Sequence, residues 1–194
     1  GIAGSGRAAT AVETALGDAD IEPDRIDATE TGSVAYPVVV GTVGGAVFER
    51  ARDVATDWLA VELGGIGGQS GQDVDAAVSI LGESVCFDCL RRRVLSLGGG
   101  REQSAGPGAD DDTGVDARTE RLAGAVAGHR LLEWIDGEIG PGTVIEFPYT
   151  TRRLFPVPGC GCGSGTDRSL RRANASVGLE ETVGRAEAVV DSRL

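Results

Sequence analysis

The chain has 194 residues, 41% apolar but only 4% aromatic, with a formal net charge of −12. That length suits one domain whose core must be built from Val, Ala, Leu and Ile. The charge leaves no basic stripe to neutralise phosphates, which argues against a nucleic-acid binder. No stretch approaches the roughly 20 apolar residues that a bilayer-spanning helix needs, and no signal peptide is visible, so a cytoplasmic setting away from membranes is expected. All 18 basic residues are arginines. A dense carboxylate surface without lysine resembles halophile-type composition, in which salt screens the repulsion.

Taken in chain order, Gly1–Leu16 reads as the tail of a strand, a glycine turn and a helix with Ala8, Val12 and Leu16 at helical spacing. Arg25–Thr29 is expected to form a short strand. Val38–Val43, a continuous apolar run, fits a buried parallel strand. Ala46–Asp53 reads as a helix, and Trp58–Leu63 and Val74–Leu81 as strands separated by the glycine-rich GGIGGQSG. Residues 98–116 have the composition of a flexible linker. Thr119–Ile135 predicts a strong helix carrying Leu122, Val126, Leu131 and Leu132 near one side. Thr143–Phe147 and Arg152–Phe155 predict a hairpin around Pro148-Tyr149. Strands alternating with helices imply an α/β fold, a mixed sheet with helices on its faces. The chain opens directly on a motif and closes on a helical pattern, so it is expected to be part of a longer protein.

Two motifs carry chemistry. Cys86-Phe87-Asp88-Cys89 is a CxxC pair and Cys160-Gly161-Cys162 a CxC pair. Two short-spaced pairs on separate turns supply the four soft ligands of a tetrahedral zinc ion, and four thiolates leave no open position for water, so the zinc would be structural. A redox CxxC or scattered buried cysteines are the other readings; a redox motif leaves the second pair unexplained. The second motif is Gly4-Ser5-Gly6-Arg7-Ala8-Ala9, a G-x-G-x-x-A turn between strand and helix. Such a turn brings backbone N–H groups up to a phosphate. Gly4, Gly6 and Ala9 are its candidate cofactor-binding residues, with Glu30 (or Asp27) placed where a ribose-binding acid is expected. The same turn also suits a strand-to-helix junction that binds nothing. The lone histidine, His129, has no spaced partner, and without lysine there is no Walker loop.

The stretch from Trp58 to Leu90, with Gly82–Leu90 forming a G-x-x-x-C-x-x-C-L setting and PGCGCG closing the domain, resembles ThiF/MoeB-like adenylating domains that activate ubiquitin-like proteins. Its ending is most similar to the ThiF-like domains partnered with, or fused ahead of, YcaO proteins in azole- and thioamide-forming peptide modification. The resemblance implies a Rossmann-like sheet flanked by helices and closed by the zinc site, spanning 1–163, with 164–194 a helical tail leading to a further, YcaO-type domain. Active members of that family carry an acid after the strand matching Val38–Val43, and a lysine. Here Gly44-Gly45 fills the first place and the second is missing. The expected function is therefore a noncatalytic domain that docks a substrate peptide or partner beside a YcaO domain in cis or in trans, with ATP handled elsewhere. A homodimer is compatible with that role. An active ATP-dependent adenylating enzyme and a nucleotide-binding regulatory domain are the alternatives.

Overall fold

The computed structural model describes residues 1–70, 73–96, 101–102, 114–147, 150–160 and 162. All lie in the compact unit Gly1–Cys162. The tail expected at 164–194 and the turn at Pro148-Tyr149 lie outside the described residues.

The elements follow in the order β1 (Ile2–Ala3), α1 (Gly6–Gly17), β2 (Arg25–Ile26), a 3₁₀ turn (Ala28–Ser33), β3 (Val38–Thr42), α2 (Ala46–Val54) and β4 (Trp58–Leu63). Then come β5 (Gly65–Ile66), β6 (Gln69–Ser70), β7 (Ala76–Leu81), α3 (Phe87–Ser96), β8 (Arg101–Glu102), α4 (Ala117–Ile135), β9 (Thr143–Phe147) and β10 (Thr150–Arg153). Seven strands form one mixed sheet in the order β10-β9-β7-β4-β3-β1-β2. The β2-β1-β3-β4 half is parallel; β4, β7, β9 and β10 pair antiparallel. β5, β6 and β8 make a small second sheet. Within the stretch read as a linker, Arg101–Glu102 thus pairs with β6, and Asp116 caps α4; residues 103–113 are not described.

Strand periodicity divides the core in two. Ile2, Val38, Val40, Leu59, Val61, Ile80 and Ile145 face α1 and α4, whereas Ala3, Val39, Trp58, Ala60, Leu81 and Val144 face α2 and α3. On the first face the helices meet through small residues. A Cβ on Gly124 would lie 2.1 Å from the Ala8 carbonyl oxygen, and one on Gly128 would lie 2.5 Å from Ala15 Cβ. Helix α4 begins where Asp116 Oδ1 accepts from the N–H groups of Arg118 and Thr119. It stops at Gly137, whose φ of 77° suits a residue without Cβ. On the second face the scarce aromatics are gathered: Phe87 stacks on Phe48 at 6.0 Å and packs on Trp58 at 5.7 Å. This anchors the start of α3 to the sheet. Among the described residues no helix is long and apolar enough to cross a membrane.

Candidate metal centre and switch-point groove

The two cysteine pairs, 73 and 74 residues apart, meet in space. Cys86 Sγ lies 3.5 Å from Cys160 Sγ, and Cys89 Sγ lies 3.2 Å from Cys162 Sγ. All four sulfurs fall within 4.8 Å of one another. A disulfide would require about 2.05 Å, and all four thiols are free. Ligands at about 2.3 Å around a tetrahedral zinc ion stand about 3.8 Å apart, so the observed spacing is that of a metal-ligand set. The four cysteines can therefore hold a metal ion.

Local structure explains how the cluster forms. Cys86 precedes α3, and Cys89 sits in its first turn, held down by the stacked Phe87 ring. The second pair is carried by a turn in which Cys160 N–H donates to the Val157 carbonyl at 3.0 Å. Gly159, with φ 77°, allows that turn. Three bonds tie this turn to α3. Val157 N–H donates to Cys89 Sγ at 3.2 Å. Arg93 Nε donates to the Phe155 carbonyl at 2.9 Å, with its Nη2 at 3.5 Å from that of Pro156. Burial pushes the Cys89 thiol up, against the pull of the Val157 N–H. A bound cation reverses that balance, because it stabilises the thiolate directly. Donor chemistry, spacing and the N–H to sulfur bond all fit a metal. Sequence reasoning missed Arg93 and Val157: a backbone carbonyl contact leaves no motif.

The glycine turn lies at the other functional feature. Strand β1 leads through α1 to β2 on one side, while β3 and β4 lie on the other, so the chain changes direction between β1 and β3. In open α/β sheets ligands bind in the crevice outside the strand ends at such a point. A groove of about 760 Å³ occupies that place, lined by Ser5 and Gly6 after β1, Gly41 and Thr42 of β3, and the facing sides of α1 and α4. Gly4 has φ 109°, and a Cβ on it would meet the Val40 carbonyl oxygen at 2.0 Å. Its glycine is thus required for packing β1 against β3. Gly6, at φ 88°, has open space before it. Ala9 is fully buried beneath the helix.

Glu30 is elsewhere. Its carboxylate accepts the Asp27 N–H at 2.7 Å, closing a capping box around the 3₁₀ turn, and it does not line the groove. The spacing that suggested a ribose ligand is the spacing of a cap. Two arginines line the groove, Arg7 and Arg121. Arg7 lies 3.2 Å from the buried carboxylate of Glu120. The hydroxyls of Thr10 and Thr14 donate back to the helix carbonyls of Gly6 and Thr10. His129, on α4, is exposed and lies 3.4 Å from Glu133.

The fold and site together define a Rossmann-like α/β domain with a four-thiol cluster at one end of its antiparallel half. No known family's sequence profile matches the chain, and no curated protein matches it in sequence. One solved structure to which the chain is similar is that of a protein described as a heterocyclase in complex with substrate and cofactor. It is 17% identical, with a TM-score of 0.48, over 85% of this chain and 24% of that one. This chain therefore spans about a quarter of that protein's length.

Proposed function

We propose that this chain is a zinc-braced, noncatalytic docking domain that holds a peptide or protein substrate beside an ATP-using YcaO-type domain, in cis or in trans. Cys86, Cys89, Cys160 and Cys162 bind one structural zinc ion. The observation that carries the reading is the composition of the switch-point groove. Adenylation brings a carboxylate to the α-phosphate of ATP, which needs free cations on the phosphates and an acid to hold magnesium. The position after β3 that would supply the acid is Gly44-Gly45. Arg7 is already paired to Glu120.

Three residues that could substitute, Asp57, Arg52 and Arg50, lie away from the groove, whose own lining adds Asp18 and Arg121. Asp57 precedes β4, at the opposite end of that strand, where its Oδ1 accepts the Glu83 N–H at 3.1 Å. Arg52 is held by Glu49, Asp53 and Asp88 on the α2–α3 side, and Arg50 does not line the groove. A groove that keeps its shape, its backbone amides and the cation of Arg121, but has no acid after β3 to hold magnesium, is suited to recognition.

Pyrophosphate exchange with magnesium, ATP and candidate peptides tests the reading. No exchange above background is expected, together with saturable binding of a YcaO-type domain or substrate peptide by titration calorimetry. Exchange that disappears on Arg7→Ala or Arg121→Ala would establish an adenylating enzyme instead. Absence of any binding to both partners would end the docking reading.

A further inference from the structure

The switch-point groove is unequal from end to end. Helix α4 runs alongside α1 in the same direction: Glu120 meets Arg7, a Cβ on Gly124 would meet Ala8 and Ala11, and one on Gly128 would meet Ala15. The groove follows α1 from Arg7 to Asp18, about 17 Å at ~1.5 Å per residue. Arg121, the residue after Glu120, stands at the end nearer β3. Asp18, the C-cap of α1, stands at the other. Both are exposed, and among the described residues neither side chain has an ion-pair or hydrogen-bond partner. The dipole of α1 has the same sense, favouring an anion at its start and a cation at its end. Two hydroxyls add to the Arg121 end: Ser5 caps α1 without a side-chain bond, and Thr42 Oγ1 is buried with no partner.

The middle of the groove has a different chemistry. Thr10 and Thr14 stand one helical turn apart on its α1 wall. Each hydroxyl donates its proton backward along the helix, Thr10 to the Gly6 carbonyl at 3.1 Å and Thr14 to the Thr10 carbonyl at 2.9 Å. What each can still offer a ligand is therefore a lone pair. Ala11, Ala15 and Ala125 complete this section, and their small side chains let a main chain come close. A stretch that is uncharged and only accepts hydrogen bonds disfavours a phosphate chain, which brings acceptors and negative charge. It suits the N–H groups of an extended peptide. Helix residues four apart are about 6 Å from each other, and N–H groups on one edge of an extended chain recur at about 6.7 Å.

We propose, resting on the docking reading, that the occupant of this groove is an extended peptide segment of about six residues with a carboxylate at the Arg121 end and a cation at the Asp18 end. The guanidinium of Arg121 takes the carboxylate through paired N–H groups, with the hydroxyls of Ser5 and Thr42 at the same end. Thr10 and Thr14 accept alternate main-chain N–H groups, and Asp18 takes the cation. The length of the groove sets the two charged groups about five residues apart, at roughly 3.3 Å per extended residue. Selectivity follows from sign: a segment acidic at both ends meets Asp18 with like charge, and one basic at both ends does the same to Arg121.

The test is an NMR titration of the ¹⁵N-labelled full chain, kept saturated with zinc. The probes are blocked hexapeptides with aspartate at one end, lysine at the other and alanines between, made in both orders to cover both chain directions. Saturable shifts of the Thr10 and Thr14 amides are expected with at least one order. Arg121→Gln and Asp18→Asn should each weaken binding about threefold, the size of an exposed ion pair. With asparagine in place of the peptide's aspartate, Arg121→Gln should make no further difference; a merely structural effect of the variant would weaken that peptide too. No saturable shift with either order, equal binding of a peptide acidic at both ends, or saturable shifts of the same two amides with magnesium ATP would overturn the proposal. If the hexapeptides fail while a YcaO-type domain still binds, this inference alone falls. Failure of both removes the docking reading with it.

Discussion

Val157 donates its backbone N–H to the sulfur of Cys89 at 3.2 Å across 68 residues of chain. This bond joins the two halves of the cysteine cluster before any ion is considered. A thiolate that accepts an N–H bond is a better-oriented ligand, since such outer partners fix the ligating atoms in place. Metal analysis of protein purified under reducing conditions should therefore find one zinc per chain. Cys89→Ser should lose the metal and upward of about 3 kcal/mol of stability, a fall in Tm of roughly 6 to 12 °C at this chain length. Two disulfides and no metal in reduced protein would refute this.

The α1–α4 seam gives a prediction about sign. Alanine improves helix propensity over glycine by about 1 kcal/mol. At Gly124 the added Cβ would sit 2.1 Å from the Ala8 carbonyl oxygen, backbone that cannot step aside. Overpacking of this kind costs about 1–3 kcal/mol, so Gly124→Ala should be net destabilising in urea unfolding. Gly17, also on a helix, has nothing within 4 Å of the place a Cβ would take, and Gly17→Ala should be neutral or stabilising. The reverse order would mean the helices are not packed as described.

Asp116 links α4 to acid. Its carboxylate is held below the usual range by the Thr119 hydroxyl first, then by the N–H groups of Thr119 and Arg118. A depressed folded value means the contribution is fully present above the unfolded value of 3.8 and is lost as pH falls through the lower folded one. Asp116→Asn keeps an oxygen for the cap and should flatten this part of the acid-unfolding profile. Asp116→Ala should flatten it and lower stability at neutral pH as well. Equal acid profiles for all three proteins would contradict the assignment.

Charge predicts a dependence on salt. At −12 the folded chain repels itself, and molar salt shortens the screening length to about 3 Å. Tm should rise from dilute buffer to molar potassium chloride. A flat response would show that the ion pairs of α2 and α3 already balance the field.

Much of the fold is legible in the sequence because it rests on uninterrupted apolar runs. Val38–Thr42, Trp58–Leu63 and Ala76–Leu81 announce themselves as buried strands, and the long periodic helix starts within two residues of where its pattern begins. The four-cysteine cluster is legible for a different reason: thiols are rare enough that two pairs in one chain suggest each other. Helix α3 is hidden. Its first turn is occupied by the CxxC pair and its middle by Arg91, Arg92 and Arg93, so the apolar stripe of Phe87, Leu90 and Val94 is short and interrupted. The β5–β6 hairpin passes for a loop because its tip is a pair of glycines whose order comes from Glu62, a partner outside the segment. Glu30 is ambiguous along the chain, since a distance in sequence cannot separate a ribose ligand from a cap that closes three residues back.

The span between the cysteine pairs has a consequence for the order of assembly. Cys86 and Cys89 leave the ribosome some 73 or 74 residues ahead of their counterparts, and α4, β9 and β10 are made in between. During that interval an ion arriving at the first pair finds two thiolates, an incomplete and exchangeable site. Four-fold capture becomes possible only after the antiparallel half of the sheet has been synthesised and folded back on α3, since domains fold as units as they emerge. A metal held by all four thiols would thus be a clasp that fastens last, and its retention would mark chains whose sheet is complete.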